Sequence, residues 1–338
     1  MRLPHLPKLL LTAAVLAASA VAVHSCGSPM PVKSPGTIDR AALHDNQLVA
    51  ITSTGHLVSF SLFSSKVKDL GTFDMKLAPC VDFAGGKACV ASQNRLYQVD
   101  LATGKIVHAV ICGQTIQNLG VLSPERAFVQ NGGTVEIVDL AAGKAVKTVD
   151  LGKNVRCTAY DPSAKRLYAL TGEQKSGGLT TLDLAKGKIS DRMEIPELRM
   201  PVFRAGGHIY PAAGRIYVVC PHFSYGIWMG CFGAIDLKSR KYQALKPPAR
   251  LTASFRDDFF SGGQGRLVSG HGLLPGPKGE LFLTSKEGVF TYQADNQLTG
   301  PSCGKGVRLL GVWNRWALLS RGEWLEVERM PQVVARAK

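Results

Sequence analysis

The stretch Leu96-Tyr97-Gln98-Val99-Asp100-Leu101-Ala102-Thr103-Gly104-Lys105-Ile106-Val107 decides how this chain is read. It predicts a strand, a tight turn and a second strand. Apolar residues recur at every second position before the turn, which is the period of a half-buried strand. An Asp can bond backbone amides just beyond it and open a turn, and a Gly supplies the positive φ that closes one. Degraded copies recur at residues 58–66, 136–144, 180–188 and 233–241, with the apolar pairs Phe60/Leu62, Val138/Leu140, Leu182/Leu184 and Ile235/Leu237. The recurrent Asp100, Asp139, Asp183 and Asp236 are therefore read as turn formers, not catalytic acids.

A second run precedes each copy. Short β-rich segments begin at residues 48, 88, 127, 167, 216, 281 and 317, each after a polar turn. No long amphipathic helix interrupts them. Four-stranded units at about 40 residues per repeat predict a β-propeller. The expectation is an all-β, seven-bladed propeller of four-stranded antiparallel blades over residues 37–330. Within a blade the strands are a to d from the axis outward, and the Asp-Leu-x-x-Gly-Lys turns join c to d.

The N-terminus reads as a targeting segment. Arg2 and Lys8 flank an apolar run from Leu9 to Val23, too short for a comfortable membrane span. Residues 27–36, rich in Pro and Ser, read as an extended tether, and residues 331–338 as a basic tail. The chain carries a formal net charge of +15, which favours anionic partners without bearing on fold. Eight cysteines are present, and export permits disulfides. Cys220 with Cys231, which bracket one loop, are the expected pair; Cys80 with Cys89 and Cys112 with Cys157 are further candidates. No Cys-x-x-Cys occurs, and no metal or cofactor is expected.

Three resemblances follow from these residues. Val23-His24-Ser25-Cys26 resembles the lipobox of bacterial lipoproteins, which implies removal of residues 1–25 and acylation of Cys26. Gly27 would then send the protein to the outer membrane of a Gram-negative cell. Cleavage after Ala20 or Ala22, giving a soluble secreted or periplasmic protein, is the other reading. The repeat resembles that of seven-bladed bacterial propellers of the YVTN, lactonase-like and quinoprotein-like group, which holds enzymes, binding proteins and scaffolds. The segment from Ser269 to Leu283, with His271-Gly272, is similar to the inner strand of NHL-type propellers and streptogramin lyases, where such a His can be catalytic.

The spacing irregularities locate function. Extra residues fall at 172–178 and 220–233, between strands b and c, and at 246–266, between one blade and the next. In a propeller these positions open on one face, opposite the Asp-Gly turns. Loops on a rigid scaffold are where function concentrates. The loop with His222, Phe223, Tyr225 and Trp228 is expected to contact a partner. Arg40, Lys76, Arg156, Arg204 and Arg308, with His208 and His271, fall near the starts of a strands, where they would ring the channel mouth and draw anions.

No nucleophile elbow, Ser-His-Asp pattern or His-Glu-x-x-His is found. The expected function is therefore a non-catalytic binding or scaffold module at the cell envelope, with an envelope protein or anionic ligand as partner. The alternative is a propeller lactonase or lyase with His271 and His208 as catalytic residues beside Arg204. Export removes nucleic acid as a partner.

Overall fold

A computed structural model of the chain describes residues 30–329, apart from 65, 74–79, 173–176, 199–207, 213, 221–222, 225–226, 229–230, 246–272, 276–280, 286–287, 293–297, 300–305 and 315. The described residues form strands and turns with no helix. The Asp100 turn shows how the sequence makes a hairpin. Strand Arg95–Asp100 pairs antiparallel with Ile106–Ile111. Between them Asp100 Oδ1 accepts the Thr103 amide and hydroxyl, each at 2.8 Å, and Gly104 takes a φ of 73°. The same Asp accepts a backbone amide three residues on in the other copies: Ala142 at 2.8 Å, Lys186 at 3.0 Å and Ser239 at 2.7 Å. The recurrent aspartates close turns, as their spacing implied.

Each hairpin is half of a four-stranded antiparallel sheet whose strands run in chain order from inside to outside. Six blades are each built from one run of chain. Their inner strands are Ile38–His44, Cys80–Ala84, Asn118–Ser123, Val155–Asp161, His208–Ala212 and Leu273–Pro275. A further four-stranded sheet is composite. Val307–Trp313, Trp316–Arg321 and Trp324–Arg329 come from the end of the chain, and Val32–Lys33, from the segment expected as a tether, completes it. Val32 lies opposite Leu325 and Lys33 opposite Trp324. The Ser34 amide also donates to Glu323 O at 2.8 Å. Among the described residues the last repeat supplies three strands of its own, so six blades are continuous where the repeat count anticipates seven.

Both faces of a blade are buried, so its middle strands read as continuous apolar runs. In Gln47–Thr52, Leu48 and Ala50 pack toward Leu318, Leu325 and Val327 of the composite sheet. Val49 and Ile51, on the other face, pack toward Phe83, Ala88 and Val90 of the second blade. All four side chains are fully buried. The same logic joins the third and fourth blades, where Phe128, Val135 and Leu151 meet Leu167, Ala169 and Leu182. The inner strand of the composite sheet packs on those of the first and sixth blades, so the sheets close on themselves.

Outer strands present a free edge to water. Lysines at their starts, such as Lys144 in Lys144–Asp150, oppose edge-to-edge pairing. Two of these strands do more. Lys68 of the first blade donates to Leu101 O at 2.8 Å and to Ala102 O, in the turn of the second blade. Lys147 of the third blade donates to Lys186 O at 3.0 Å, in the turn of the fourth. Arg240 ties the fifth blade to the fourth in the reverse sense, with Nη1 2.9 Å from Asp191 Oδ2.

Two further cysteine pairings expected from spacing do not form. Cys80, Cys89, Cys112 and Cys157 are free thiols. Cys80 lies opposite Ala91 and Cys89 opposite Asp82, so the two cysteines are diagonal neighbours, about 7–8 Å apart at Cα and beyond disulfide reach. Cys112 follows the outer strand of the second blade, whereas Cys157 sits on the inner strand of the fourth.

Candidate functional site

The inner strands surround the axis, and three of them carry the expected arginines near their starts. Arg40 is the third residue of Ile38–His44, Arg156 the second of Val155–Asp161 and Arg308 the second of Val307–Trp313. All three side chains are half-buried. Each strand has a register shift at this point, between Ile38 and Arg40, Val155 and Cys157, and Leu309 and Gly311. A bulge of this kind re-aims the side chains beside it. Arg156 is itself the extra residue of its strand.

Arg40 and Arg308 come together although they lie at opposite ends of the chain. Arg308 Nη1 donates to the carbonyl of Ile38, 270 residues away in sequence. Burial lowers the Arg308 pKa, Asp39 nearby opposes this, and the Arg40 charge adds to the lowering. The Nε atoms of Arg40 and Arg308 are buried and make no hydrogen bond within the described residues. Arg40 also lies close enough to Cys80 to pull its thiol down, although burial prevails and raises it to about 11. Arg156 Nη2 donates to Gly172 O at 3.4 Å. Arg40 and Arg308 thus form a cationic pair on neighbouring inner strands, and Arg156 sits at the same end of the channel on the fourth.

The connections between the second and third strands of the fourth and fifth blades open at this end. Residues 172–178 link strands Arg166–Gly172 and Gly177–Asp183. Residues 220–233 span the gap between Arg215–Cys220 and Cys231–Asp236, and hold a ribbon in which Phe223 lies opposite Trp228. Cys220 and Cys231 lie directly opposite one another at its base. Residues 246–266 lie outside the described residues. An open cleft of about 390 Å³ lies on this side of the third and fourth blades, with Lys153, Arg192 and Glu194 in its wall.

Cys26, Lys76, Arg204, His222, Tyr225 and His271 lie outside the described residues, and for His208, Cys220, Phe223, Trp228 and Cys231 the description covers the backbone alone. His208 begins the inner strand of the fifth blade.

Sequence reasoning passed over His44 and Asp82. They lie at the opposite, short-turn end of the channel, with His44 Nε2 2.6 Å from Asp82 Oδ1. Neither belongs to a repeat motif. Only the packing of the first blade on the second brings them together.

With this geometry in hand, comparison with known proteins places the architecture. The chain is a β-propeller. The solved hydrazine synthase of Kuenenia stuttgartiensis superposes with a TM-score of 0.59 at 13% identity, over 90% of this chain and 95% of that one. The computationally designed Ika8 protein superposes at 0.53 with 9% identity, over 90% of this chain and 100% of that one. At such identities the likeness concerns fold alone. No family model matches the sequence, and no curated protein matches it.

Proposed function

We propose that this chain is an exported, lipid-anchored propeller that binds an anionic envelope ligand or polymer without catalysing a reaction. The observation that carries the reading is the Arg40–Arg308 pair. Two guanidinium groups side by side in a half-buried channel repel each other, and an oxyanion between them would relieve that repulsion and take bidentate hydrogen bonds. Arg156 on the same face, and the net charge of +15, add to the attraction. The elaborated loops of the fourth and fifth blades give such a ligand, or an envelope protein, a broad surface.

Three finer points belong to this proposal. The composite sheet serves as the seventh blade, latched by Val32–Lys33. The chain stands with the YVTN, lactonase-like and quinoprotein-like propellers. Cys26 is acylated after loss of residues 1–25, so the latch strand lies close to the anchor and holds the propeller near the membrane, at the outer membrane if the cell is Gram-negative.

The test is binding of the mature protein to a sulfated polysaccharide and to envelope fractions. A variant carrying Arg40→Gln, Arg156→Gln and Arg308→Gln should lose at least tenfold in affinity. Unchanged binding refutes the anion site. Incorporation of a palmitate analogue should depend on Cys26, and label retained by Cys26→Ser refutes the anchor.

A further inference from the structure

At the short-turn end of the channel the structure holds a pocket of about 410 Å³, framed by the ends of the inner strands of the first four blades. That volume falls in the range of small-molecule sites, about 300–1,000 Å³. Its centre is a fixed histidine. Asp82 is buried, and its Oδ2 accepts the Val121 amide at 2.7 Å. Its Oδ1 meets His44 Nε2 at 2.6 Å. The imidazole packs edge-on against Phe83 with ring centroids 4.7 Å apart. A carboxylate accepts, so Nε2 carries a proton, and Nδ1 is the ring nitrogen left for a ligand. The ring can rotate little, because both its edge and its polar atom are held.

The rest of the wall combines apolar rings with neutral polar groups. Phe83 and Tyr160 supply ring surface, and the Gln47 amide, whose Nε2 donates to Ser59 Oγ at 3.0 Å, keeps its carbonyl oxygen and a second N–H. The Tyr160 hydroxyl donates to Val121 O at 3.2 Å, which holds that ring in place. A side chain at Gly86 would project into open space, so backbone is bare at that rim. Lys165 also lines the pocket, from the turn that joins the first two strands of the fourth blade.

Charge chooses the ligand class. The chain as a whole is strongly cationic, yet here Lys165 shares the pocket wall with Asp45, and Asp82 stands behind His44. The two carboxylates offset the single lysine, so the pocket carries no excess positive charge, in contrast with the arginine-bearing mouth at the other end. We propose that this pocket is a second binding site, for a small uncharged polyhydroxyl ligand such as a mono- or disaccharide. His44 Nδ1 bonds a ring hydroxyl, Gln47 bonds a neighbouring one, and Phe83 and Tyr160 face the C–H surface of the sugar. The site does not depend on the anion reading, because it lies at the opposite end of the channel.

Saturation-transfer NMR on the mature protein provides the test, with maltose, cellobiose, sucrose and trehalose at about 10 mM and with glucuronate and inorganic phosphate as charged counterparts. That concentration detects dissociation constants in the millimolar range. At least one neutral disaccharide should bind, and His44→Phe, which keeps the ring and its contact with Phe83, should weaken it at least tenfold. Gln47→Leu gives an independent reading should His44→Phe fail to fold. Arg40→Gln with Arg308→Gln should leave this binding unchanged. The proposal is overturned if no neutral sugar binds, if neither pocket variant weakens it, or if the charged probes bind there in preference.

Discussion

Asp82 joins three blades with one side chain. It sits on the inner strand of the second blade, takes His44 Nε2 of the first at 2.6 Å and accepts the Val121 amide of the third at 2.7 Å. Its relative exposure is 7%, so water does not substitute for either partner. Replacing it with Ala strands the buried Val121 N–H, at about 1–3 kcal/mol, and removes two charge-assisted hydrogen bonds. Breaking a buried ion pair or its equivalent costs about 3–5 kcal/mol in total. Asp82→Asn keeps the shape and one acceptor, so the Val121 bond survives and only the contact with His44 is weakened, at about 1–2 kcal/mol. The expected order of stability is wild type, then Asp82→Asn, then Asp82→Ala, with about 2–3 kcal/mol between the two variants. Urea unfolding followed by tryptophan fluorescence measures this. A value for Asp82→Ala within about 0.5 kcal/mol of wild type, the scatter of an ordinary surface substitution, would refute the bridging role. Equal losses for Asn and Ala would instead show that charge, and not the orphaned amide, dominates.

Other contacts are testable in the same way. Lys147→Met keeps the stem and removes the bond to Lys186 O, so unfolding free energy should fall by about 0.5–1.5 kcal/mol; no change would show that the exposed ammonium is bound equally well by water. The turn aspartates Asp100, Asp183 and Asp236 are held below the ordinary aspartate value of 3.8, Asp100 chiefly by the Thr103 hydroxyl and the other two by backbone amides. Because the folded value is the lower one, their contribution is complete above pH 3.8 and is lost as pH falls below it. Replacing all three with Asn should flatten the fall in Tm between about pH 4 and pH 2, and an unaltered acid limb would count against the turns as its source. Cys220 and Cys231 face each other across an antiparallel pair, at a Cα spacing of about 4.5–5.5 Å that suits a disulfide. Non-reducing peptide mapping of the exported protein should recover them cross-linked. Cys89, whose thiol burial raises to about 12, should resist alkylation until the protein unfolds; rapid alkylation of Cys89 in the native state would contradict its placement.

The part of the site that was legible in sequence was the part that repeats or interrupts a repeat. Arg40, Arg156 and Arg308 could be placed near the starts of inner strands because the phase of each blade follows from its hairpin. The insertion positions 172–178, 220–233 and 246–266 were visible as breaks in a spacing of about 40 residues. His44 and Asp82 carried no such signal. His44 precedes an ordinary two-residue turn, and Asp82 lies in a short strand, Cys-Val-Asp-Phe-Ala, where the pattern alone suggests a solvated position. Its burial comes from the neighbouring blades on either side. The latch strand was missed for a related reason. Val32–Lys33 is too short and too proline-flanked to read as a strand, and it becomes one by pairing with Trp324–Arg329 at the far end of the chain.

Leu96 to Val107 by itself determined the strand period, the aspartate-opened turn and the glycine that closes it, because alternation and turn chemistry act over a few residues. The run Leu48-Val49-Ala50-Ile51 likewise announced a strand, and its burial on both faces came from the packing of neighbouring blades. Tertiary structure decided which strands became neighbours around the axis, and with that the pairing of Arg40 with Arg308, the bridge from Asp82 to two blades and the closure by Val32–Lys33. These contacts join residues tens to hundreds of positions apart, and they form only when the stacked sheets curve back on themselves. No local pattern encodes that curvature; it arises from the sum of strand twist and packing between successive blades.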